Sequence, residues 1–362
     1  MSLAAGRASG ARREGPRADS AALAEPLSLS PSAARVEALD AKLRVRLAES
    51  LDYLGSHIAG NPGAGGQQLG ERLGKRLDKR LGEIARTARS RPISAWTFCL
   101  YAKLVAALAD DAPRDVAAIV DAAGRAAALP AAEGMIAFGA GHPDFWWSHF
   151  SLLLDTDRAR PFRLHEPAAD AFRAGADDLR AGLALMRRAD RAFHDEVAAL
   201  LRTIVLGSPA EPGMAFDGAS TFFLWGATLL NADARRSAVE AAELLVHESG
   251  HLLLFALSSP SALTRNSGEE RHASPLRRDP RPIDGIFHAG FVATRVHLAM
   301  TRLLGSGRLG ADERKAAGRA QAVNASAARD ALALLQRRAE PTATGANILA
   351  ALAAYWAAPG GA

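Results

Sequence analysis

Two histidines and a glutamate in the run His247-Glu248-Ser249-Gly250-His251 have the residue types and the spacing of a metal site. The run lies in the middle of an apolar helical pattern that extends from Val239 to Phe255 and stops at Ser258-Ser259-Pro260. Residues four apart lie on one face of a helix, so both imidazoles can reach a single metal ion, with the Glu248 carboxylate close beside them. The spacing therefore predicts a metal-binding helix.

Two histidines do not complete a metal site, and the third ligand decides its class. The metzincin pattern requires Gly and His at the positions that Leu254 and Leu257 occupy here, which excludes that class. Three carboxylates and one further imidazole downstream are available as the third ligand: Glu269, Glu270, Asp284 and His288. Spacing alone leaves this choice open.

A cationic loop precedes His288. Residues 274–288 read Ser-Pro-Leu-Arg-Arg-Asp-Pro-Arg-Pro-Ile-Asp-Gly-Ile-Phe-His, which sets Arg277, Arg278 and Arg281 among three prolines. Guanidinium groups bind carboxylates bidentately, and a backbone stiffened by proline loses little freedom on binding. The loop therefore suits an anionic co-substrate near the metal. The alternative is that the arginines pair with Asp279, Glu269 and Glu270.

These motifs together resemble the HEXXH motif-containing peptide-modification proteins that accompany ribosomally made, modified peptides. The resemblance runs from Asp217-Gly218-Ala219-Ser220 through the metal-binding helix to the 274–288 loop, over roughly residues 200–300. It implies a non-haem Fe(II), 2-oxoglutarate-dependent β-hydroxylase that uses O₂ on a precursor peptide in ribosomal-peptide (RiPP) biosynthesis. By the resemblance, His247, His251 and His288 would bind iron, and one or more of the three loop arginines would hold 2-oxoglutarate.

The role of Glu248 differs between the two enzyme classes that these residues allow. In an oxygenase, three protein ligands leave metal positions open for 2-oxoglutarate and O₂, and Glu248 either supports the metal ligands from behind or orients the substrate. In a zinc metallopeptidase, Glu248 is the general base, and the strand around residues 221–230 presents its edge to the substrate backbone. A third hypothesis is a metal-dependent peptide-binding protein without catalysis. The arginine loop and the resemblance favour the oxygenase.

The surrounding sequence predicts a mainly α fold with a small β-sheet, in which a zincin-like strand and the metal-binding helix form the core. Helical periodicity of apolar residues is the main signal, and Gly-broken apolar segments at 214–216 and 221–230 predict two or three short strands. The predicted helices cover about 25 residues from Ser30-Pro31, then 69–91, 95–108, 113–129, 167–201, 231–258, from 286 onward, 311–337 and 343–357.

Three regions are predicted along the chain: a disordered tail over residues 1–30, a helical region over 31–205 and the metal-binding catalytic region over 206–362, with 31–362 as one integrated domain. The helix over 69–91 is amphipathic and basic. Its charged face is either a solvated surface or a docking site for an acidic peptide or an anionic surface.

Composition excludes several classes of protein. The chain has 362 residues, 49% of them hydrophobic, and 44 basic against 39 acidic residues, a net charge of +5 without one basic block, so nucleic acid is not predicted as a partner. No apolar run reaches the roughly 18 residues of a membrane helix, and no membrane association is predicted. The single cysteine, Cys99, favours a cytoplasmic location. The oligomeric state is left open.

Overall fold

The computed structural model describes residues 27–60, 71–109, 113–129, 164–210, 216–259, 261–274 and 279–358. The chain divides into two compact units. The larger unit comprises residues 31–256 and 302–317, and the described part of the smaller unit comprises 27–30, 257–301 and 318–358. Residues 1–26 of the predicted tail lie outside the described residues, and the predicted division of the chain near residue 205 stays a prediction.

Four helices open the larger unit, and each of them follows a predicted helical segment. They are α1 (Ala33–Gly60), α2 (Glu71–Ser90), α3 (Ala95–Ala109) and α4 (Pro113–Ala128). On α2 the apolar stripe of Leu77, Leu81 and Ile84 is at most 3% exposed, because these residues recur at helical spacing and pack against α1 and α4. The lysines and most arginines of α2 remain on the exposed face.

The long helix predicted over 167–201 is two helices, α5 (Ala169–Ala189) and α6 (Arg191–Leu200), so that prediction was wrong in its continuity. The break falls at Asp190, whose carboxylate accepts hydrogen bonds from the backbone N–H groups of Ala192 and Phe193 and so caps α6. The guanidinium of Arg302 binds the same carboxylate from far along the chain. Apolar residues recur at helical spacing on both sides of Asp190, but the capping contact and this ion pair end one helix there and begin the next.

A small mixed sheet leads to the metal-binding helix. Its strands are β1 (Leu164–His165), β2 (Thr203–Pro209), β3 (Gly218–Ala219) and β4 (Ala227–Asn231), in the order β1-β2-β4-β3. β2 and β4 are parallel, whereas β1 and β3 run antiparallel to their neighbours. Among the strands that the structure describes, β3 therefore forms one edge of the sheet, and β4 leads into α7 (Ala238–Ser258).

Of the two predicted strand segments, 221–230 is confirmed in its second half as β4, whereas Phe222–Leu224 forms a 3-10 turn. Residues 214–215 of the other segment lie outside the described residues, and β3 lies between the two predicted segments. Two further strands, β1 and β2, were not predicted. All but the last residue of β2 is buried, and a strand buried on both faces shows no alternation of polar and apolar residues. Its sequence consequently resembles the end of the preceding helix.

The smaller unit is mainly helical from residue 283 onward, whereas the described residues 259–282 form turns, bends and isolated bridges. It contains most of α8 (Ile283–Gly305) and α9 (Ala311–Arg338) together with α10 (Ala343–Ala357). Small side chains form the contact between α8 and α9, since Ala293 packs with Ala327 and Ala328, with Trp356 of α10 against them. The buried Arg295 guanidinium donates a hydrogen bond to the backbone carbonyl of Leu29.

The mainly α fold with a small β-sheet is thus confirmed. Within the described ranges, the helices are all too short or too polar to cross a membrane.

Candidate metal centre

The helix α7 positions the metal-binding motif, and its start is encoded locally. The backbone N–H of Ser237 donates to the Glu240 carboxylate at 2.8 Å, and the Glu240 N–H donates back to the Ser237 hydroxyl at 3.4 Å. This reciprocal pair is a capping box, which satisfies N–H groups that the first helical turn leaves without partners. From Ala238 the helix runs through the motif without a break to Ser258.

The two histidines of the motif face each other. The Nε2 atoms of His247 and His251 are 3.3 Å apart, and the two rings meet edge to face with centroids 5.0 Å apart. If each nitrogen lay about 2.0–2.2 Å from one ion, a separation of 3.3 Å would give an N–metal–N angle of about 97–111°. That range includes the tetrahedral angle and extends toward the octahedral one, so the pair fits two adjacent positions on one metal.

The Glu248 carboxylate lies beside the histidine pair on the same helix but faces the sheet. It is 3% exposed, and the hydroxyl of Ser220, directly after β3, donates to its Oε2 at 2.7 Å. The Thr228 hydroxyl lies 2.9 Å from the Ser220 oxygen and donates to the carbonyl of Ala219 at 3.1 Å. A buried carboxylate is stable in such a place only when hydrogen bonds replace its water, and Ser220 supplies one of them.

Gly218 allows the edge strand β3 to approach this carboxylate closely. A Cβ at position 218 would lie 2.7 Å from the Glu248 Oε1 atom and 2.8 Å from the Leu230 side chain. A Cβ here would force the ends of the Glu248 and Leu230 side chains to shift, so glycine allows the strand its closest approach to the carboxylate. The sequence run Asp217-Gly218-Ala219-Ser220 contributes this contact and the Ser220 hydroxyl together.

Two phenylalanines mark the side of α7 next to the histidines. Phe255 follows His251 by one helical turn, and its ring lies 6.4 Å from that of Phe222, centroid to centroid, at 62°. Phe222 is 39% exposed, which places an accessible aromatic surface beside the histidine-bearing helix. No role for Ser220, Thr228 or these rings was predicted from the sequence. The signal that could have indicated the first two is the occurrence of two hydroxyl side chains close to the short glycine-containing strand β3.

His288 belongs to the smaller unit, on α8. Desolvation by the surrounding protein lowers the pKa of its imidazole below the usual histidine value, and the Asp284 carboxylate partly opposes that effect. The neutral imidazole, which is the form that binds metals, is therefore favoured at neutral pH.

The described part of the cationic loop is closed by backbone pairing. His272 and Arg281 exchange two backbone hydrogen bonds of 2.8 Å, so their chain segments run antiparallel. The Arg281 Nε is buried and has no hydrogen-bond partner among the described residues. A guanidinium nitrogen in this condition suits an anionic ligand. Arg277 and Arg278 lie outside the described residues.

The carboxylates considered as third ligands are all exposed. Glu269 and Asp284 face solvent, and the Glu270 carboxylate lies 3.1 Å from the His272 Nε2. In the part of the chain that the structure describes, no group of three or more His, Cys, Asp or Glu side chains is arranged to hold a metal ion. The pair of His247 and His251 is the structural core of the site, and the third ligand stays a prediction.

The comparisons with known proteins assign this chain neither to a family nor to a function. No protein-family model matches the sequence, and no curated protein matches it. The resemblance to the peptide-modification family consequently depends on the motifs alone.

Proposed function

We propose that this protein is a non-haem Fe(II), 2-oxoglutarate-dependent β-hydroxylase of a ribosomally synthesised precursor peptide. The observation that carries the proposal is the 3.3 Å separation of the His247 and His251 Nε2 atoms on one helix. Two imidazoles in this arrangement match adjacent metal positions, and imidazole ligands suit iron as well as zinc. We propose His288 as the third ligand, supported by its lowered pKa and by the motif resemblance.

The 2-oxoglutarate site is proposed on the cationic loop. The buried Nε of Arg281 has no hydrogen-bond partner among the described residues, which is what a carboxylate ligand would supply. Arg277 and Arg278 are proposed from the sequence as further cations for the same ligand. Bound Fe(II) and 2-oxoglutarate would supply the redox chemistry that puts one oxygen atom of O₂ into a C–H bond of the peptide while the co-substrate becomes succinate and CO₂.

The side chains around the histidine pair would hold the peptide. The edge strand β3 offers backbone groups to an extended chain, and the Glu248 carboxylate lies directly behind that strand, held by Ser220. In this proposal Glu248 orients the peptide rather than activating water. The rings of Phe222 and Phe255 provide apolar surface that limits the access of water to the reacting carbon.

We propose a cytoplasmic location for this reaction. Cys99 is buried and its burial raises the thiol pKa to about 12, so the thiol stays protonated and inert. A chain with one cysteine forms no internal disulfide and needs no oxidising compartment.

The test is reconstitution followed by mass spectrometry. The full chain is loaded with Fe(II) without oxygen and then mixed with air, 2-oxoglutarate and a candidate precursor peptide encoded by a neighbouring short reading frame. We expect a gain of about 16 Da on the intact peptide with equimolar succinate, both dependent on 2-oxoglutarate. His247→Ala should abolish the gain and weaken Co(II) binding, whereas His57→Ala, at an exposed histidine of α1, should change neither.

A zinc metallopeptidase is the second candidate, favoured by one specific observation. Glu248 is a buried carboxylate between the histidine helix and an edge strand, where a general base and a substrate backbone would meet. Two shorter peptides formed with zinc and without 2-oxoglutarate would establish this function and exclude the hydroxylase. Failure of both reactions with tight Co(II) binding would leave a metal-dependent peptide-binding protein.

A further inference from the structure

A charged groove lies between α2 and α4 in the larger unit, made of residues that the proposed function does not use. Its volume is about 390 Å³, and its floor is formed by Leu77 and Ala117. Five charged side chains line it: Arg76, Lys79 and Arg80, with Glu83 and Asp121. The groove is therefore amphipathic, with an excess of one positive charge.

The two ion pairs at the groove leave its positive charges partly available to a ligand. Arg76 and Asp121 are 3.7 Å apart and are 72% and 45% exposed, so water screens their attraction strongly. Arg80 and Glu83 are 3.1 Å apart and are also well exposed. Lys79 forms no ion pair with any residue that the structure describes. An incoming carboxylate could bind Lys79 directly and compete with Asp121 for Arg76.

The Arg80 guanidinium lies against the backbone of α4, although its side chain is 43% exposed. A Cβ at position 124 would lie 2.7 Å from its Nε and 2.8 Å from one of its terminal nitrogens, so the guanidinium packs flat against the Gly124 backbone of α4. A cation whose position is set by packing loses less conformational entropy when it binds a ligand.

The chemistry of the groove favours a peptide over a membrane. Membrane-surface helices insert an exposed apolar face, but the apolar stripe of α2 is buried in the protein. None of the exposed large hydrophobic side chains of the described structure lies on α2. A flat anionic bilayer would also bring its charge close to Glu83 and Asp121.

Nucleic acid is disfavoured for related reasons. Residues 71–90 contain no aromatic side chain on which a base could stack. The two carboxylates of the groove interrupt the line of cations that a phosphate backbone would follow. A peptide segment that spaces its charges can place carboxylates on the cations and small neutral residues opposite Glu83 and Asp121.

We propose that the groove between α2 and α4 binds an acidic peptide segment that presents at least two carboxylates, one to Lys79 and one to Arg76 and Arg80. Small apolar side chains of the segment would cover Leu77 and Ala117. This binding is independent of the metal-centre proposal, because the described residues that line the groove all lie on α2 and α4.

Fluorescence anisotropy with a labelled peptide tests the binding. The probe is a twelve-residue peptide with glutamates separated by alanine and serine, and its control has glutamine at every glutamate. We expect the acidic probe to bind and Lys79→Glu to weaken it by about tenfold. Arg86→Glu, at an exposed cation of the same helix outside the groove, is the matched control and should change the affinity by less than about twofold.

A charge-neutral variant separates the shape of the groove from its net charge. Gly124→Ala removes no charge but displaces the Arg80 guanidinium, and we expect weaker probe binding with an unchanged circular dichroism spectrum. Equal losses in Lys79→Glu and Arg86→Glu, or equal binding of the glutamine peptide, would overturn the proposal. So would binding of phosphatidylserine vesicles or duplex RNA without binding of the acidic peptide.

Discussion

The hydrogen bond between Ser220 and Glu248 can be tested by the substitution Ser220→Ala. The hydroxyl donates to the carboxylate at 2.7 Å, and the carboxylate is only 3% exposed, so water has little access to replace the lost donor. A hydrogen bond to a charged group contributes about 1.5–3 kcal/mol. We therefore expect Ser220→Ala to lower the free energy of unfolding by about 1.5–3 kcal/mol, measured by urea denaturation.

A double-mutant cycle tells whether the charge on Glu248 is responsible. Glu248→Gln keeps a hydrogen-bond acceptor but removes the charge, so in that background Ser220→Ala should cost only about 0.5–1.5 kcal/mol. Ser56→Ala, at an exposed serine of α1, is the matched control and should change stability by less than about 0.5 kcal/mol. A Ser220→Ala variant as stable as the control would refute a stabilising hydrogen bond. An equal loss of unfolding free energy with Glu248 and with Gln at position 248 would refute the role of the charge.

Two predictions concern the smaller unit. Gly345→Ala should destabilise the protein by at least about 2 kcal/mol in urea denaturation, because the new Cβ would overlap the backbone carbonyl oxygen of Leu263, which cannot move aside freely. Gly318→Ala on α9, where a Cβ meets nothing within 4 Å, should instead stabilise by about 0.5–1 kcal/mol, and a loss of stability there would contradict the steric argument. Burial, together with the charge of Arg329, lowers the pKa of His297 below the usual 6.5, so the unfolded chain binds the proton more readily. Stability should therefore fall as the pH drops below about 6.5, and His297→Gln should reduce that slope in thermal unfolding between pH 7.5 and 5; an unchanged slope would refute it.

The helices were predictable because their signals are local. The C-terminal helix was predicted over 343–357, and α10 spans Ala343–Ala357, with the Thr342 hydroxyl accepting from the Gly345 N–H at its start. Periodic apolar residues and a capping residue suffice where the helix packs on one face. The same signals wrongly predicted a continuous helix through Asp190, because the ion pair between Asp190 and Arg302 joins residues 112 positions apart.

The metal-centre residues show the same difference between local signals and long-range contacts. The spacing of His247 and His251 determines that two imidazoles meet, since helix geometry alone brings positions four apart together. Local signals in the sequence thus sufficed to predict most of the helices, the class of fold and the histidine pair. The contacts of Ser220 and Gly218 with the Glu248 carboxylate depend on the tertiary fold, because they join the β3 region to α7 across 28 and 30 positions of the chain. Strand pairing and buried ion pairs depend on contacts between distant segments, and these contacts leave no periodic signal in the amino-acid sequence.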